Sequence, residues 1–136
     1  MASLGFSPNV KSCQADTVLL DFSCQSVGTS TGAIAAANIL AGRSIKALTG
    51  TYAATGVYTF VLPYGSAFPT ANVFVGHATA RGAAVFHPQV DTITSASGQM
   101  TVVVKCYDMA GSAVAPASTA GNIIDVSIVA SNNTGA

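Results

Sequence analysis

Residues 50–64 read GTYAATGVYTFVLPY, and the run from Thr55 to Leu62 decides what kind of fold this chain makes. Side chains alternate across a β-strand, so Tyr58, Phe60 and Leu62 share one face while Val57, Thr59 and Val61 share the other. β-branched and aromatic residues in a short run, bounded by Thr-Gly on one side and Pro-Tyr-Gly on the other, predict a strand. Apolar residues stand on both faces, and one hydrophobic core takes only one of them. We expect the second face, with Val57, Val61 and Val103 from a later strand, to meet other copies of the chain.

Working outward, the same grammar repeats. SIKALTGTY (44–52) pairs naturally with GVYTFVLPY across Ala53, Ala54 and Thr55. Upstream, ADTVLLDFSC (15–24) alternates, with Val18, Leu20, Phe22 and Cys24 on one side and Thr17, Leu19, Asp21 and Ser23 on the other. Downstream come NVFVGHAT (72–79), GAAVFHPQVDTIT (82–94), GQMTVVVKCYD (98–108) and NIIDVSIVAS (122–131). In the last of these, Ile124, Val126, Ile128 and Ala130 point inward and Asp125 and Ser127 outward. The breaks are turn chemistry: PYGSAFPT, TARG, SASG and the long MAGSAVAPASTAG (109–121). Many short strands with no sustained 3.6-residue period predict an all-β fold, a single-domain antiparallel β-sandwich or barrel of jelly-roll-like kind.

Three stretches stand apart from the strands. Residues 1–15 mix Leu4, Phe6, Pro8 and Val10 with Gly and Ser, and read as an extended N-terminal arm that orders only against something else. VGTSTGAIAAANILAGR (27–43) is ambiguous: AIAAANILAG suits a short Ala-rich helix stopping at Gly42, while Gly32 and the β-rich surroundings favour loop or strand. The folded domain is expected over 16–131, with 132–136 a loose polar tail.

Composition narrows the function. Only 7% of the 136 residues are charged, net charge is zero and half are hydrophobic, mainly Ala and Val. An ordinary soluble domain carries about 25% charged residues, so a lone copy lacks the usual self-repulsion. Three Lys and two Arg scattered singly make no basic stripe, which argues against nucleic acid. No run approaches the ~18 apolar residues that cross a bilayer, and MASLGFSPNVKS does not read as a secretory signal. Cys13, Cys24 and Cys106 show no CxxC or Cys/His spacing and read as free thiols made in a reducing cytosol; a Cys13–Cys24 bridge stays open.

Candidate chemistry is thin. Asp108 and Asp125 lie in neighbouring segments and could approach, but Asp108 opens a turn-rich loop, where Asp ordinarily caps. His77 and His87 would meet across a hairpin around TARG, with Asp91 near, giving an imaginable two-His metal site; local satisfaction of each imidazole is the plainer expectation. Cys106 sits between Lys105 and Tyr107, whose side chains point to the opposite face, so it reads as core. No Ser or Thr lies in a GxSxG or SxxK setting, and GTSTG (28–32) lacks the Lys of a phosphate loop. The 109–121 loop has no aromatic, His or charge and reads as a spacer or as a surface lying on another protein. No enzyme activity, cofactor or metal is expected.

Two segments, TGVYTFVLPYGSAFPTANVFVGHA (55–78) and GQMTVVVKCYDMAGSAVAPASTAGNIIDVSIVASNN (98–133), resemble small β-rich structural proteins of tailed bacteriophages. The likeness lies in Thr55 to Leu62, in Tyr107-Asp108, in Ala110-Gly111 and in Pro116. It implies a capsid decoration (cement) protein, made in the host cytoplasm and sited on the virion surface. Such a protein would contact the major capsid protein and itself, as a trimer, with Leu4, Phe6, Pro8 and Val10 in the capsid-contact arm. A tail or head-fibre module with a receptor-binding tip, or a self-assembling surface subunit, are the alternatives.

Overall fold

The computed structural model describes residues 17–41, 48–63, 73–82, 84–96, 99–118 and 121–131. Among these described residues nine strands run in chain order: β1 (Thr17–Gln25), β2 (Gly32–Ala33), β3 (Ile39–Ala41), β4 (Thr49–Ala54), β5 (Val57–Pro63), β6 (Val73–Arg81), β7 (His87–Ala96), β8 (Gln99–Tyr107) and β9 (Ile123–Ser131). They form two antiparallel sheets, one ordered β3-β1-β9-β6 and the other β2-β4-β5-β8-β7. The fold is therefore an all-β sandwich. The expected β4–β5 hairpin forms, with Thr51 opposite Thr59 and Tyr52 opposite Tyr58.

The alternation read from the sequence places the core. Leu20, Phe22 and Cys24 of β1 and Ile124, Val126 and Ile128 of β9 face Tyr58, Phe60 and Leu62 of β5 and Met100, Val102, Val104 and Cys106 of β8; all are buried. Phe22 and Phe60 meet edge to face across the sheets with centroids 4.8 Å apart, and Tyr52 and Tyr58 do the same within a sheet at 4.9 Å. Such pairs add to area burial about 0.5–1.5 kcal/mol each. At one side the sheets come close. A Cβ on Gly76 of β6 would lie 2.8 Å from Ile93 Cδ1 and 2.9 Å from Val90 Cγ1 of β7, which is why the inner positions of β6 are Gly76, Ala78 and Ala80.

Over its described part the ambiguous Ala-rich stretch forms no α-helix and takes the loop-or-strand alternative: β2, one 3-10 turn (Ala36–Asn38) and β3. Ala36 and Ala37 are exposed, so no apolar helical stripe exists to bury. TARG does not turn a hairpin either. β6 and β7 belong to different sheets, so the chain crosses the sandwich there and His77 and His87 are separated. The 109–121 loop is no spacer over its described part, 109–118 and 121. Asp108 Oδ1 accepts from the amides of Ala110 and Ser112, Val114 N donates to the Cys106 carbonyl, and Pro116 is buried.

Candidate functional site

The outer face of the five-stranded sheet gathers the sequence-predicted valines. Cross-strand rows read Thr49, Val61, Thr101, Thr94; then Thr51, Thr59, Val103, Thr92; then Val57, Lys105, Gln89. Val57, Val61 and Val103 are thus neighbours on one surface, half-buried by flanking threonines. Among the described residues its charge is confined to one end, where Lys105 Nζ pairs with Asp91 at 3.0 Å. Asp91 is the extra residue of a bulge between Val90 and Thr92. β-branched side chains with few rotamers make a stiff, nearly uncharged field, which loses little entropy and desolvates no ions when covered.

The outer face of the other sheet carries more chemistry. One row is Asp21, Ser127, His77; the next is Ser23, Asp125, Thr79. They line a depression of about 270 Å³. Ser127 donates to Asp21 Oδ1 at 2.6 Å and Ser23 donates to Asp125 Oδ1. Arg81 grips Asp125 with Nε and Nη2 and holds its carboxyl below the usual carboxylate range. Asp, Ser and His stand in a row, but the serine gives its proton directly to the carboxylate. Nucleophilic activation needs the imidazole between them. Beyond this polar patch, Val75 (64% exposed) lies beside Val129 (39%), an apolar pair open to solvent.

A third feature is a depression of about 330 Å³ at the end of the five-stranded sheet, lined by His87, Gln89, Tyr107, Asp108, Met109 and Gly111. His87 Nε2 touches Met109 Sδ at 2.9 Å, and Asp108 is oriented by its turn amides.

The remaining candidates disperse. Asp125 sits on the outer face of the four-stranded sheet and Asp108 in the turn after β8 of the other sheet, in separate depressions, so they do not form an acid/base pair. Among the described residues, no three His, Cys, Asp or Glu side chains are grouped to hold a metal ion. Cys24 and Cys106 are free thiols in the core, and burial pushes each up to about 12, so neither is a thiolate nucleophile. Leu4, Phe6, Pro8 and Val10, and Cys13, lie outside the described residues. Nothing in the sequence marks the buried polar knot at the sandwich end. There Ser26 donates to the Pro116 carbonyl and lies 3.3 Å from the Tyr58 hydroxyl, which accepts from Val27 N. Its members come from three distant segments, so no local pattern could reveal it.

No family model matches this chain, and neither a curated protein nor a solved structure matches it.

Proposed function

We propose that the chain is a non-enzymatic structural subunit, a decoration (cement) protein that docks on the major capsid protein of a phage head as a homo-oligomer, a trimer, and stabilises the shell. The observation that carries this reading is the outer face of the five-stranded sheet. Val57, Val61 and Val103 lie there among threonines, and among the described residues charge stands only at the Lys105–Asp91 end. A face of that kind costs little to desolvate and suits a subunit contact, and obligate contacts bury about 2,000 Å² or more. The phage-like segments around Thr55–Leu62 and Tyr107–Pro116 add the particle to which the subunit belongs. Sedimentation of the purified chain over a range of concentrations tests the oligomer: a monomer that persists at high concentration defeats it. Imaging of particles with and without the protein tests the shell.

The depression around His87 supports a second reading, a receptor-binding module. Tyr107 offers a ring, and Gln89, His87 and Asp108 offer polar groups, the mixture that holds a small hydroxylated ligand. Binding to a glycan array that disappears with Tyr107→Ala would put this reading first.

A further inference from the structure

The two long edge strands that lie side by side are treated differently. β7, at the edge of the five-stranded sheet, is blunted by Pro88, by the bulge at Asp91 and by the Asp91–Lys105 ion pair, devices that discourage further pairing. β6, at the edge of the four-stranded sheet, has none of these. It pairs with β9 without interruption from Val73 to Arg81, contains no proline, and carries its one formal charge at the far end, Arg81. Among the described residues no strand covers its other side. Along these nine residues no described strand takes the outward backbone groups, next to the exposed Val75–Val129 pair.

The sixteen residues before β1 have the pattern to fill that edge. Leu4, Phe6, Pro8 and Val10 stand at alternate positions, so an extended segment puts all four on one face. Pro8 has no N–H, and within a strand it fits only where that group would point away from the partner. The same parity then lets Ser3, Gly5, Ser7 and Asn9 make the ladder and leaves every apolar side chain on one face. From the geometry we propose that residues 3–10 of one copy add as a fifth strand to the β6 edge of a neighbouring copy, beside Val75 and Val129.

Length and exit point agree. Thr17, Ser131 and Val73 form one cross-strand row, so the arm leaves the body level with the start of β6. Eight residues span about 26 Å, close to the nine of β6, and residues 11–16 supply a tether of up to ~20 Å. A copy's own arm would have to pass over the ends of β9 and β6 in that same row, and connections at one end of a sheet avoid such crossings. Exchange between copies has no such obstacle. If each copy gives one arm and takes one, the contact is head to tail and closes into a ring when the rotation allows. This inference rests on the homo-oligomer reading above and names what joins its members.

The test mixes two versions of the chain, both Cys13→Ser, one carrying Val10→Cys, on the same face as Leu4 and Phe6, and the other His77→Cys, on the same face as Val75. They are treated with a bifunctional maleimide spanning two strand spacings, ~10 Å. The expected product is a mixed covalent dimer, about tenfold above a mixture in which Thr51→Cys replaces His77→Cys, because tethering raises the local concentration. Adding Leu4→Ser and Phe6→Ser to the arm donor should reduce it. A yield no higher than the Thr51→Cys mixture overturns the proposal, as does a link formed only within a chain carrying both cysteines. An oligomer without the mixed dimer sinks arm exchange and leaves the decoration reading standing; a monomer sinks both.

Discussion

The Ser26 hydroxyl donates to the Pro116 carbonyl across 90 residues of sequence, and the Tyr58 hydroxyl lies 3.3 Å from the Ser26 Oγ. One buried side chain thus ties the segment after β1 to the loop before β9 and to the centre of the other sheet. Ser26 N also donates to the Asn122 carbonyl at 2.8 Å. Ser26→Ala leaves the Pro116 carbonyl without this donor in a buried site, which costs about 1–3 kcal/mol. Urea unfolding should show a lower midpoint with an unchanged slope, since the knot adds no exposed surface when broken.

Gly56 turns the β4–β5 hairpin at φ +70°, and a Cβ there would lie 2.5 Å from the Val114 carbonyl oxygen and 2.8 Å from that of Cys106. Both neighbours are backbone and cannot step aside. Gly56→Ala should therefore destabilise by about 3 kcal/mol or more. Gly111→Ala, also at positive φ but with open space around its Cβ, should cost only about 1–2 kcal/mol. Equal losses for the two variants in thermal melts would contradict this account of the hairpin.

The core thiols set an alkaline limit. Burial pushes Cys24 and Cys106 from an ordinary value of 9.0 up to about 12, and burial also raises Tyr58. Above pH 9 the unfolded chain releases thiol protons that the folded chain keeps, so stability falls as pH climbs from 9 toward 12. The slope approaches about 1.4 kcal/mol per pH unit for each thiol. Cys24→Ala should be less stable at neutral pH yet fall less steeply above pH 9, a comparison that urea midpoints at several alkaline pH values will make.

At the acid end the sign reverses. Arg81 holds the Asp125 carboxyl below its ordinary range, so the pair contributes above that range and its contribution disappears as pH falls through it. Arg81→Gln should lower the melting temperature slightly at neutral pH and leave it unchanged in strong acid. The effect is small because the guanidinium is exposed and screened by solvent. A difference that persists in strong acid would mean that Arg81 acts through packing instead.

Val61 bears on the proposed assembly. It lies between Thr49 and Thr101 on the outer face and is half-buried in the single chain. Val61→Lys puts an unpaired ammonium in the middle of that face, which an interface must desolvate. The expected result is a shift to monomer in sedimentation with stability changed by less than about 1 kcal/mol. Unchanged oligomer size would move the contact off this sheet.

Period-two alternation made most of the body legible before any coordinates. In β1, β5, β8 and β9, neighbouring side chains compete for one core. Burial of Phe22, Phe60, Val102 and Ile128 followed from which positions were apolar. The Ala-rich stretch was harder, because alanine carries helix propensity but too little side chain to show which face is buried. The His77–His87 hairpin failed for a related reason: a turn signal such as TARG marks where the chain bends, not whether it returns to the same sheet or crosses to the other.

Residue order alone determined the fold class, the strand positions and which side of each strand is greasy, since all three follow from local alternation and turn chemistry. Only the tertiary structure decided which strands became edges, which polar groups met in the knot around Ser26, and that β7 is guarded while no described strand covers the outer side of β6. Those are facts about partners far apart in the chain. They emerge when two sheets close over a shared core, and no short stretch of sequence carries them.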